Sequence, residues 1–279
     1  MKIKQVIAAA ALLFSPVAFA DNILVVMSDA SEMMLKGGTK YETGFYSNEL
    51  MEPVKIFLDE GHTLTFASPK GMAPTLDVNS DTLDHYKKDQ EYYDAHNSLL
   101  EELKITDPNN SPVVSFSRIE QIGIENFDAI FVPGGHAPLA DLVANEKLGK
   151  FLIHFNKKGK PTGLVCHGPA ALLSALPNSK EFEASMKRGE EPKSVTGWIY
   201  ENYDLTSFSN TEEATATKYY LKGDELFYTP EDALTYAGGD YKRSKADWGE
   251  KVVVDRELIT GQNPASAVGV ANKMLKMLK

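Results

Sequence analysis

Short, almost wholly apolar runs recur along the chain, separated by stretches whose apolar residues fall at helical spacing. Asn22–Met27 reads NILVVM, Thr63–Ala67 is similar, and Asp128–Val132 closes on Pro133-Gly134-Gly135. Between them Ser47–Glu60 places Leu50, Val54, Phe57 and Leu58 on one helical face and stops at Gly61. Lys147–Asn156 predicts a further helix with a turn at Gly159, followed by a strand that leads into Cys166. Lys251–Asp255 and Glu257–Thr260 predict a β-hairpin, and Pro264–Leu278 a terminal helix. Runs apolar at every position must be buried on both faces. Their alternation with helices predicts an α/β fold built on a mostly parallel sheet sandwiched by helices. In such sheets the site lies beyond the carboxyl ends of the strands, which is where Cys166 and the Gly134-Gly135 turn would meet.

The first twenty residues read as an export signal. Lys2 and Lys4 make a positive start, Val6–Phe14 an apolar core, and Ala18-Phe19-Ala20 a small-x-small cleavage site. The apolar run is too short to span a bilayer. This predicts cleavage after Ala20 and a periplasmic or secreted protein with no membrane attachment, one α/β domain over residues 21–279. A net charge of −10 argues against nucleic acid or an anionic membrane as the main partner. Two stretches break the strand–helix rhythm. Asp77–Ser117 is polar and charged, with a helix-like piece at Tyr92–Leu103, and is expected as an inserted cap over the sheet edge. Pro177–Tyr203 is a second insertion, expected to wall the same pocket.

Cys166 is the only cysteine in the chain, so it has no partner for an internal disulfide. It stands in Gly163-Leu164-Val165-Cys166-His167-Gly168-Pro169, where an apolar run meets a glycine and a helix-forming stretch. A sharp strand-to-helix turn there would mount the side chain at its apex as a nucleophile. The following helix would aim its free N–H groups at the sulfur and favour a thiolate. A buried strand-end cysteine is the alternative.

Several segments, in this order, resemble the ThiJ/PfpI superfamily, which shares the class I glutamine amidotransferase-like fold. Within it the resemblance is to the branch of glutathione-independent class III glyoxalases and heat-shock holding chaperones. They are Thr43-Gly44-Phe45 with Glu49-Leu50-Met51-Glu52-Pro53, Ala67-Ser68-Pro69-Lys70-Gly71, Val132-Pro133-Gly134-Gly135-His136, Val165-Cys166-His167-Gly168-Pro169-Ala170, Ser207-Phe208-Ser209-Asn210-Thr211-Glu212-Glu213, and Leu258-Ile259-Thr260-Gly261-Gln262-Asn263-Pro264-Ala265-Ser266. The resemblance implies a flavodoxin-like fold and a role for each matched position. Cys166 would attack an aldehyde carbon, and Glu49, with a pKa raised by an apolar pocket, would shuttle a proton. His167 would pair with the thiol and be oriented by Glu213, with Glu212 as the other candidate. Gly134 and Gly135, with the residue after the nucleophile, would supply amides to a developing oxyanion, and His136 would contact substrate.

The implied activity is conversion of methylglyoxal or a related 2-oxoaldehyde to a 2-hydroxy acid, a lyase reaction needing no cofactor. His62, His85, His96 and His154 are scattered, no tight ligand cluster is legible, and no metal is expected. The resemblance favours a homodimer. Three other uses of the same chain stand beside this one: a cysteine amidase or peptidase, a periplasmic holding chaperone, and a thiol stress sensor.

Overall fold

The computed structural model describes residues 20–192 and 196–279, so the expected export signal lies, except for Ala20, outside the described residues. Seven strands form the central sheet. In chain order these are β1 (Asn22–Val26), β2 (Thr63–Ser68), β3 (Val114–Ser115), β4 (Ala129–Val132), β5 (Thr162–Val165), β6 (Val252–Asp255) and β7 (Leu258–Gly261). Across the sheet the order is β6-β7-β5-β4-β1-β2-β3. Every pairing is parallel except β6 with β7, which is the predicted hairpin.

The helices that matter below are α1 (Ser47–Asp59), α2 (Gln90–Glu102), α3 (Glu146–Lys158), α4 (Asn210–Tyr219) and α5 (Ala267–Leu278). Strand β1 shows why both faces of the sheet must be covered. Leu24 and Val26 join one core with Phe151, Leu152 and Phe155 of α3. Ile23 and Val25 join the other with Leu50, Val54 and Phe57 of α1 and Val270 and Met274 of α5. Each of these large apolar side chains contributes roughly 1.5–3 kcal/mol by leaving water. Pro264, expected to open the terminal helix, instead starts a short 3-10 turn, Pro264–Ser266, before α5. Among the described residues no helix is long and apolar enough to cross a membrane.

The two insertions lie elsewhere than expected. The stretch Asp77–Ser117 does not sit over the sheet edge: its last residues are the edge, because Val114–Ser115 pairs with β2. Its earlier part covers the start of α1. The Ser80 hydroxyl accepts the Ser47 N–H at 2.8 Å, the Ser47 and Tyr86 hydroxyls bond at 2.6 Å, and the Tyr92 hydroxyl donates to Glu52 at 3.0 Å. These contacts satisfy a free helix N–H that no side chain of α1's own cap reaches. The described part of Pro177–Tyr203 packs on the α3 side of the sheet, where Trp198 donates to the Leu172 carbonyl at 3.0 Å and Tyr200 is fully buried. It contributes nothing to the walls around Cys166.

Candidate active site

Cys166 follows β5 with φ +61°, left-handed backbone that a residue with a Cβ adopts only when its surroundings impose it. Its N–H donates to the Gly261 carbonyl of β7 at 2.9 Å, and its carbonyl accepts the Phe208 N–H at 2.8 Å. The neighbouring strand and the segment before α4 thus lock both sides of the elbow. The following residues form a 3-10 helix, Gly168–Ala175, rather than an α-helix. The thiolate expected from a helix N-terminus is corrected accordingly. Burial, then the charge of Glu49 and a hydrogen bond to it, push the Cys166 thiol well above its ordinary range, against a smaller pull from the Gly135 amide. The resting side chain is a thiol that needs a base.

Glu49 provides one. It lies in the first turn of α1, where the helix terminus favours a carboxylate, yet it is completely buried. Burial wins: although Cys166 and the amides of Gly134 and Gly135 pull it down, its pKa is raised to about 8. Oε2 accepts the Gly134 N–H at 2.9 Å, and Oε1 has no conventional partner, open to the thiol proton. The Gly134 amide is therefore engaged with Glu49 rather than free for an oxyanion. Both glycines are required sterically. A Cβ on Gly134 would meet Glu49 Oε2 at 2.4 Å, and one on Gly135, at φ +79°, would meet the Gly44 carbonyl at 2.1 Å. Thr43-Gly44-Phe45 is the floor on which that turn rests: the Tyr46 N–H donates to the Gly134 carbonyl at 3.3 Å.

On the other side of the sulfur, His167 Nδ1 lies 3.2 Å from Cys166 Sγ, and its Nε2 lies 2.7 Å from Glu213 Oε2. The other Glu213 oxygen, Oε1, is 3.1 Å from His136 Nε2, and the two imidazole rings, tilted by 42°, have centroids 4.1 Å apart. One carboxylate thus serves two histidines. Burial raises Glu213, but the charges and hydrogen bonds of His167 and His136 override it and hold its pKa far below the usual carboxylate range. Burial and the neighbouring His136 lower His167 despite Glu213. Burial also acts downward on His136, but Glu213 prevails and raises it. His136 therefore binds to the triad carboxylate as well as facing the cleft. Glu212, the other candidate for orienting His167, is turned away. It completes a capping box with Ser209 and accepts from Gln262 and Asn263 at 2.9 and 2.8 Å.

The donor atoms of His136, His167 and Glu213 lie within 4.8 Å of one another, a set of two imidazoles and a carboxylate that could hold a metal ion. Three dispersed positions carry no ligand spacing, so the set was not legible before the fold brought them together. In this arrangement the Nε2 atoms of both imidazoles face the carboxylate.

Cys166, only 3% exposed, lines a narrow cleft. Its walls are largely aromatic, from Tyr41, Tyr46, Phe208, Tyr220 and Trp248, with Asp77 and Asn79 as polar members. None of these wall residues was singled out in the sequence as a site residue. Phe208 lay inside a matched motif, and Asp77 marked the start of an insertion, but the others carried no signal.

A ThiJ/PfpI family-like profile matches residues 41–242, well over half of the sequence. The chain belongs to the ThiJ/PfpI family. Family members similar to it include a probable glutathione-independent glyoxalase of Schizosaccharomyces pombe, 27% identical over 273 residues, covering 92% of this chain and 98% of that protein. Glyoxalase 3 of Candida albicans is 26% identical over 256 residues, covering 91% and 97%. Among solved structures, that of glyoxalase III from Candida albicans superposes with a TM-score of 0.70 at 22% identity, covering 93% of this chain and 98% of that one. That likeness establishes the shared fold, a parallel sheet with helices on both faces.

Proposed function

We propose that the protein is a glutathione-independent glyoxalase that converts small 2-oxoaldehydes, methylglyoxal among them, to 2-hydroxy acids through Cys166. The observation that carries this reading is a buried thiol set between a carboxyl of pKa about 8 and a His167–Glu213 pair, in a closed aromatic cleft. The named activities of the Schizosaccharomyces pombe and Candida albicans relatives support it.

In the reaction, Cys166 Sγ bonds to the aldehyde carbon. The thiol proton passes to Glu49, and from Glu49 to the new oxyanion, leaving a hemithioacetal. The Gly135 amide meets the charge on oxygen as it develops. A base then removes the proton from the carbon bearing sulfur, and the resulting enediol is reprotonated at the adjacent carbon, which gives a thioester of the 2-hydroxy acid. Glu49 and His167 divide these transfers, one on each side of the sulfur. Water cleaves the thioester, releasing the acid and restoring the thiol. The sum is one aldehyde plus one water to one hydroxy acid, with no net oxidation and no glutathione. Appearance of lactate from methylglyoxal without added glutathione tests the proposal. Hydrolysis of amides in its place would move the protein to the hydrolytic side of the superfamily.

The cleft walls also bear on substrate charge. They include Asp77, with Glu213 behind, and among the described residues no lysine or arginine. Two like unit charges about 6 Å apart repel by roughly 2–3 kcal/mol at an effective dielectric of about 20. 2,3-Dioxopropanoate, an anionic 2-oxoaldehyde with a carboxylate in place of the methyl group, is therefore expected to react with a kcat/KM about tenfold to a hundredfold below that of methylglyoxal. Equal values would contradict this reading of the walls. In this proposal residues 1–20 act as an export signal and the enzyme works outside the cytoplasm. Amino-terminal sequencing of the protein recovered from the cell should begin at Asp21; an intact Met1 would overturn export with cleavage.

A further inference from the structure

Trp248 is held in an unusual state at the mouth of the cleft. Its φ is +64°, a genuine outlier for a bulky side chain, and the residue remains 44% exposed. The backbone is kept there by Glu212, whose Oε1 accepts the Trp248 N–H at 2.7 Å. Glu212 is itself completely buried and fixed by Ser209, Gln262 and Asn263. The rest of the segment is tied to the same frame. The Ser244 N–H donates to Gln262 Oε1 at 2.7 Å, the Thr211 hydroxyl donates to Asp247 at 2.6 Å, and Asn263 donates to the Gly249 carbonyl at 2.8 Å. A surface turn needs no buried carboxylate to hold a tryptophan in strained backbone. Strain of this kind persists where the surroundings impose it, and it gathers at functional sites.

The ring's position shows what the arrangement accomplishes. Its centroid is 5.6 Å from that of Phe208 in an edge-to-face contact, and Phe208 lies 4.6 Å from His167. Trp248 lines the same cleft as Cys166. We infer that Trp248 is the residue that limits the size of the group a substrate carbonyl carries, and that Glu212 positions it. The inference deepens the glyoxalase reading and rests on it for the identity of the substrate, not for the access to the sulfur. On this inference a methyl substituent passes the indole, whereas a phenyl substituent displaces it and strains the Glu212 contact that holds the turn.

Because Cys166 is the only cysteine, alkylation of the full-length protein reports access to the sulfur without ambiguity. The rate ratio of N-phenylmaleimide to iodoacetamide should rise at least tenfold in Trp248→Ala, and less in Trp248→Phe. The kcat/KM ratio of phenylglyoxal to methylglyoxal should rise in the same order. An unchanged alkylation ratio in folded Trp248→Ala overturns the inference, whatever the activity; should that variant not fold, Trp248→Phe and Trp248→Leu decide by the same ratio. An unchanged aldehyde ratio in an active variant overturns it equally. If the wild type turns over neither aldehyde, the glyoxalase reading fails, and the alkylation ratio still decides the role of Trp248.

Discussion

Cys166→Ala should lower the turnover of methylglyoxal to lactate by a factor on the order of 10⁴ or more and leave a folded protein. The expected effect is this large because in the proposed reaction every covalent step passes through the sulfur, and among the described residues the cleft walls hold no other cysteine, serine or threonine. The fold should tolerate the change. Alanine removes one buried sulfur, a loss of about 1 kcal/mol, and meets the same left-handed backbone at φ +61° that cysteine does. Lactate formation and thermal unfolding on one preparation of each protein check both halves. Turnover retained by a folded Cys166→Ala protein would remove the mechanism.

Glu49→Gln should lower kcat by about 10² to 10⁴, the range expected for loss of a positioned general acid–base. Glutamine keeps the shape and accepts the Gly134 N–H, so the loss reports the proton and not the packing. The pH dependence adds a second signature. Below a pH of about 8 the carboxyl is protonated and the thiol has no base, so kcat/KM of the wild type should rise with pH toward that value. The rise should be absent from Glu49→Gln. Stability runs the opposite way. Burial raises the folded pKa above the unfolded one, so the folded state binds the proton more tightly. That contribution is fully present below the ordinary value of 4.5 and is lost as pH rises through about 8. The melting temperature of the wild type relative to Glu49→Gln should accordingly fall between pH 5 and pH 8. A constant difference would show that Glu49 is not the buried, protonated group described here.

Much of this was legible before any coordinates. The apolar runs at Asn22–Met27 and Asp128–Val132 became β1 and β4 because strands buried on both faces leave no polar positions to confuse the pattern. Glu49, Cys166, His167 and Glu213 were reached through matched motifs, and the fold brings all four around one sulfur. Two readings failed for physical reasons that spacing does not carry. The thiolate expected at Cys166 assumed that a helix terminus outweighs burial; with a short 3-10 helix and Glu49 beside the sulfur, burial wins. The second insertion was charged and aromatic and so looked like a pocket wall, but Trp198 and Tyr200 had the α3 face to bury against.

Local order in the chain was enough to determine the layered sheet and the elbow that carries Cys166, since each rests on residues adjacent in sequence or on a repeated period. Tertiary structure alone decided that Glu213 serves two histidines, that Glu212 holds Trp248 at the cleft, and that Cys166 rests as a thiol. These depend on which groups from distant segments share a dry enclosure. Burial and charge are properties of that enclosure, and no single stretch of sequence contains it.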